Sequence, residues 1–158
     1  VKFIHKGYYD HMEESHELLA FYGNEKIWDI LAENPRNRVV VFGEQPEMLR
    51  FPCSTQSYTD IEGSGGNFNL SSSPEALADF FTFAGVDYIY LGSGYLKPGT
   101  DGFRNVTGLL KQGYLTDLLY ENGNGLAVFS SDPKNLTEEE SEALLAEFTE
   151  KYWPGEQQ

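Results

Sequence analysis

The chain has 158 residues, of which 40% are hydrophobic and 15% aromatic. That is enough for one domain with a core and argues against global disorder. Its 25 acidic and 11 basic residues give a formal net charge of −14 with no basic stripe, which excludes nucleic acid as a partner and disfavours an anionic membrane surface, because both need a cationic footprint.

Residues 1–11 read as a linker-like start. The chain opens on Val1, in "VKFIHKGYYDHMEESHELL", and the expectation is that no signal peptide precedes the domain. The expectation is a piece excised from a longer protein. No stretch approaches the ~18 apolar residues that read as a membrane span. Residues 12–33 carry a helical pattern, with one apolar cluster at Leu18, Phe21 and Tyr22 and another at Ile27, Ile30 and Leu31. Gly23-Asn24 divides them, so two helices or one kinked helix fit. Asn34-Pro35 ends the pattern, because the residue before proline avoids helical backbone.

"RVVVFG", residues 38–43, predicts a strand buried on both faces. "STQSYT" predicts a second strand, and "DIEGSGGNFNLSSS" a polar surface loop. Ser73-Pro74-Glu75 then opens a helix: a capping hydroxyl, a first-turn proline and an acid at the positive end of the dipole. Leu77, Phe80, Phe81 and Ala84 line its inner face, and Gly85 ends it. "VDYIYL" is a further buried strand. "FRNVTGLLKQG" predicts a short helix with Phe103, Val106 and Leu110 on one face. "YLTDLLYENGNGLAVFSS" predicts a hairpin turning at Asn122-Gly123-Asn124-Gly125. Thr137 and Glu140 have capping-box spacing ahead of a last helix, with Leu144, Phe148 and Tyr152 inward. Residues 154–158 are expected to be a disordered tail.

This order predicts a single α/β domain: a three-layer-like, Rossmann-like sandwich with parallel strands at the centre and an antiparallel hairpin at the edge. In such sheets ligands sit beyond the carboxyl ends of the strands. Gly43, Glu44, Gly92, Ser93 and Tyr95 are therefore the candidate ligand-binding residues. The glycines lack the G-x-G-x-x-G run into a helix that a dinucleotide needs. "GSGYLKPG" meets a proline instead, and the reading favoured here is a turn.

Other chemistry is thinly represented. His11 and His16 lack the i, i+4 spacing of a helical metal pair, and His5 has no metal-binding partner. Asp60 and Glu62 lack a calcium-loop pattern. Cys53 is the one cysteine, so no intrachain disulfide forms. "G-x-S-x-G" is absent, and the carboxylates of the last helix face away from its apolar side. Neither a catalytic residue, a metal nor a cofactor is assigned. Asn69, Asn105 and Asn135 stand in Asn-x-Ser/Thr sequons. Tyr8, Tyr9, Trp28, Tyr88, Tyr90 and Tyr95 are read mainly as core, with sugar stacking as the alternative.

"PRNRVVVFGEQPEMLRFPCSTQSYTD", "SPEALADFFTFAGVDYIYLG" and "GYLTDLLYENGNGLAVFSSD" in succession resemble the soluble extracytoplasmic domain of bacterial multispan membrane glycosyltransferases. Those enzymes are similar to the dolichyl-phosphate-mannose-type, lipid-linked-sugar family. The resemblance spans about residues 12–132 and rests on the rhythm of elements and a few phrases. It implies a non-catalytic accessory domain on the outer side of the cell membrane, which helps to recognise a glycan or glycan acceptor. Its partner would be the membrane-embedded remainder of the parent chain. The family's catalytic acids lie between membrane helices, and nothing here corresponds to them. Two alternatives stay open: a Rossmann-like domain binding a nucleotide or S-adenosylmethionine, and a cytoplasmic interaction module.

Overall fold

The structure is a computed structural model, and it describes residues 24–43, 50–62 and 71–152. The expectations for residues 1–23, for Glu44 and for the tail fall outside the described residues. So do His5, His11, His16, Tyr8, Tyr9 and the Asn69 sequon.

Ten elements follow in chain order: α1 (Glu25–Ala32), β1 (Arg38–Phe42), β2 (Ser54–Ser57), α2 (Tyr58–Glu62), α3 (Pro74–Ala84), β3 (Tyr88–Leu91), α4 (Asp101–Lys111), β4 (Leu115–Glu121), β5 (Asn124–Phe129) and α5 (Glu138–Tyr152). The strands form one sheet in the order β2-β1-β3-β5-β4. β1 pairs parallel with β2 and β3, while β5 pairs antiparallel with both β3 and β4. This is the expected α/β sandwich, with parallel strands and an antiparallel hairpin at one edge.

The two apolar runs lie side by side, Val39 opposite Tyr88 and Phe42 opposite Leu91. Strand residues alternate between faces, and the core divides accordingly. Val40, Phe42, Ile89, Leu91, Ala127 and Phe129 meet α3, α4 and α5 through Leu77, Phe81, Val106, Leu110 and Phe148. Val39, Val41, Tyr90 and Leu126 face the other way, onto Ile27 and Leu31 of α1. Helices thus cover both faces of β1 and β3, which is why those strands read as unbroken apolar runs rather than alternating ones.

Local signals set the helix limits. Ser73 Oγ accepts from the Ala76 N–H at 3.1 Å, and Gly85 closes α3 at φ 70°. Thr137 and Glu140 form both capping-box bonds, at 3.1 and 3.2 Å. Thr100, not singled out from the sequence, caps α4 through a bond from the Phe103 N–H. The hairpin turns on Asn122 and Gly123, at φ 53° and 80°, the positive-φ pair that a two-residue turn needs.

Two expectations need correcting. The strand expected over residues 54–59 ends at Ser57, and the first residues of the loop expected from Asp60 are helical, because residues 58–62 wind into α2. Burial is the reason: Tyr58 stacks on Phe42 with ring centroids 4.3 Å apart, and Ile61 is 2% exposed. In addition, β4 is not regular. Thr116 pairs with Val128 but Leu119 with Leu126, so one extra residue is accommodated between them. Asp117 takes it up at φ 49°, a bulge that brings both Leu115 and Leu118 onto the α3–α5 side.

Candidate functional site

The parallel strands, β1 to β3, end at one edge of the sheet, where the β4–β5 hairpin also turns. Gly43 follows β1, and Gly92, Ser93 and Tyr95 follow β3, so all four described candidates come to this edge.

Polar groups of Gly92, Ser93 and Tyr95 bond to the chain itself. The Gly92 N–H donates to the Phe42 carbonyl at 2.8 Å, which zips the end of β3 to that of β1. The Gly92 carbonyl accepts from the Tyr152 hydroxyl at the end of α5, and that hydroxyl accepts from the Leu96 N–H at 3.5 Å. The Ser93 N–H, the group a phosphate would seek, donates to Asn124 Oδ1 at 2.8 Å. Tyr95 packs against the α3–α5 core, and its hydroxyl shares a 2.8 Å hydrogen bond with Thr59 Oγ1. A Cβ on Gly92 would lie 3.2 Å from the Phe42 carbonyl oxygen, so a side chain there would make the two strand ends part by a few tenths of an ångström.

The amino end of α1 arrives at the same edge. An anion there would bind free backbone N–H groups, but Glu121, at the end of β4, already supplies one. Its carboxylate accepts from the Lys26 N–H at 3.0 Å and from the Ile27 N–H at 3.2 Å. Asn24, 3% exposed, accepts through Oδ1 from Asn124 Nδ2 at 2.9 Å and from the Tyr90 hydroxyl at 3.3 Å. Burial pushes the Tyr90 hydroxyl up to about 12, so it remains a donor. Asn24, Glu121, Asn124 and Tyr152 were not singled out as site residues from the sequence. Asn124 carried a local signal as part of the turn, Asn24 as part of the break ahead of α1, and Tyr152 as an inward position of the last helix; Glu121 carried none.

Among the described residues, the aromatics do not form one platform. Tyr90 lies under α1, edge-on to Trp28 at 6.0 Å and to Phe51 at 5.0 Å, whereas Tyr95 is on the opposite side of the sheet. Tyr88 is half-buried. Cys53 is partly buried beside Tyr88 and Trp28. Desolvation, then the Asp87 charge, pushes its thiol up to about 11, which leaves it a poor nucleophile at neutral pH.

Asn105 is fully buried in α4 and donates through Nδ2 to the Ser71 carbonyl at 2.9 Å and to the Tyr58 hydroxyl at 3.1 Å. Its sequon is therefore closed in the folded chain, whereas Asn135 is exposed. Among the described residues no group of three or more His, Cys, Asp or Glu could hold a metal ion, and no helix is long and apolar enough to cross a membrane. No protein-family model, curated protein or solved structure matches the chain.

Proposed function

We propose that this domain is a non-catalytic, extracytoplasmic accessory domain of a membrane protein resembling a lipid-linked-sugar glycosyltransferase. In this reading it assists in recognising a glycan or glycan acceptor, and its parent carries the chemistry. One observation supports the non-catalytic part most strongly. At the edge where an α/β sheet normally takes its ligand, the Gly92 carbonyl, the Ser93 N–H and the Lys26 and Ile27 N–H groups of α1 all have partners in the chain itself. A nucleotide would have to displace four such bonds before making its own. The outward location is supported by the sequence resemblance and is compatible with an acidic surface, since orientation follows cytoplasmic Lys and Arg.

The reading is tested on the full-length parent. Reporter fusions placed after residue 152 should be active on the outer side of the membrane, and the parent should carry several apolar spans. A parent with no long apolar run, or a reporter active only in the cytoplasm, would remove this reading in favour of a cytoplasmic interaction module.

A further inference from the structure

β2 lies at one border of the sheet, with β1 on one side and no described strand on the other. The Ser54 N–H donates to the Asn37 carbonyl at 3.2 Å, so the alternation of a parallel ladder turns the N–H and carbonyl of Thr55 away from β1. Among the described residues nothing bonds to either group. Ser54, Thr55 and Gln56 are all exposed. Edge strands are normally guarded against pairing by charge, proline or a bulge. β4, at the other border, has the bulge at Asp117 and ends on Glu121. β2 is short but carries none of the three. A groove of about 270 Å³ lies between it and the end of α3. Buried Val40 and Val86, half-buried Ala84 and exposed Gln56 and Arg38 line it. No carboxylate does, in a chain with 25 acidic residues.

The Arg38 guanidinium is held in place, because Nη1 donates to the Ala84 carbonyl at 2.6 Å. A guanidinium has further N–H groups to offer, and among the described residues no acid pairs with it. Asp87 is close, but its carboxylate accepts from the Arg38 backbone N–H at 2.9 Å and acts on Cys53, on the α1 side of the sheet. More distant charges are screened beyond about 8 Å at physiological salt. A strand added antiparallel to β2 would bring its carboxyl end to Ser54, the residue paired with Arg38. We infer that the β2 border and Arg38 take the carboxyl-terminal segment of another polypeptide. That segment is extended and paired with Thr55, with its terminal carboxylate on Arg38 and its last apolar side chain over Val40 and Val86. Strand addition and capture of a terminal carboxylate are both recurring modes of peptide recognition, and an arginine matches a carboxylate with two parallel bonds. A second copy of this chain fits less well, because β2 brings no carboxylate to Arg38. Such docking is independent of the side of the membrane on which the domain stands.

Fluorescence polarisation with the whole 158-residue chain tests this. The probes are fluorescein-labelled hexapeptides in which threonine alternates with valine and the last residue is valine, leucine, isoleucine or phenylalanine. Each is made as the free acid and as the C-terminal amide. At least one free acid should bind saturably below about 1 mM, and its amide at least about tenfold more weakly, since a charge-assisted pair is lost. Arg38→Gln should bring acid and amide level. Thr55→Pro, which removes an N–H that faces away from the ladder, should weaken both. The Thr55 amide NMR signal of the unaltered chain should move on titration, a readout that needs no variant. Binding by none of the peptides, equal binding of acid and amide, or indifference to Arg38→Gln would overturn the docking. An amide ending in aspartate that binds as tightly as the free acid would overturn the choice of a chain terminus as the occupant.

Discussion

The Asn124 side chain joins Ser93 to Asn24. Its Oδ1 accepts from the Ser93 N–H at 2.8 Å, and its Nδ2 donates to Asn24 Oδ1 at 2.9 Å. One amide in the hairpin thus connects the glycine-rich end of β3 to the residue that starts α1. Asn124→Ala should destabilise the fold by about 1–3 kcal/mol, because it leaves a nearly buried acceptor on Asn24 with one partner fewer. Asn24→Ala should cost a similar amount, and the double variant less than the sum, since the two share a bond. Urea denaturation of the four proteins measures both effects. Strict additivity would mean that the network does not act as a unit.

Glu121 anchors α1 from a distance of 95 residues along the chain. Glu121→Ala should remove an N-terminal cap in all but sequence position and cost about 0.5–2 kcal/mol, as cap losses do. Glu121→Gln keeps an acceptor and should recover part of that. The midpoint should fall with little change in denaturant slope, and amide exchange should quicken first in α1.

Close backbone approaches set three glycines apart. On Gly92, a Cβ would lie 3.2 Å from the Phe42 carbonyl oxygen. On Gly108, it would collide with Pro74 of α3, and on Gly113, held at φ 83°, with the Lys134 carbonyl. Gly108→Ala should therefore destabilise by about 1–3 kcal/mol through overpacking, although alanine is the better helix former by about 1 kcal/mol. Gly113→Ala should cost more than Gly92→Ala, because backbone strain adds to the clash. Thermal unfolding of the three variants gives the order.

Alkali should weaken the fold. The Cys53 thiol is raised from 9.0 to about 11 and the Tyr90 hydroxyl from 10.0 to about 12, both mainly by burial. Folded protein therefore holds these protons over a range where unfolded protein has released them. Stability must fall as pH rises from about 9 to about 12, the span of those values. Thiol labelling of native protein at pH 8 should be far slower than of urea-unfolded protein. A flat stability profile across this range would contradict the burial of both groups.

Much of the fold was legible because its cues are local. Ser73 and Gly85 bracket α3 within a dozen residues, Asn122-Gly123 carries its own turn chemistry, and two apolar runs announce strands covered on both faces. The bulge at Asp117 left only a faint trace, the Leu118-Leu119 doublet that breaks the alternation of β4. The edge was half legible. Its glycines marked where strands end, but the partners of those glycines, Tyr152 for Gly92 and Asn124 for Ser93, come from elements brought near only by the sheet order. Glu121 read as one more surface acid among 25 acidic residues, since nothing in its neighbourhood along the chain indicates α1. The turn of α2 was hidden because Tyr58 and Ile61 wind inward only once Phe42 is there to receive them.

The central claim is that the carboxyl edge of the sheet binds its own chain. Amide NMR spectra recorded while ATP, NAD and S-adenosylmethionine are added in turn, to millimolar concentration, test it most directly. The Gly43, Gly92, Ser93 and Tyr95 signals should stay in place, with the Ser93 N–H protected from exchange throughout. Saturable shifts centred on those four amides, with Ser93 losing its bond to Asn124, would contradict it.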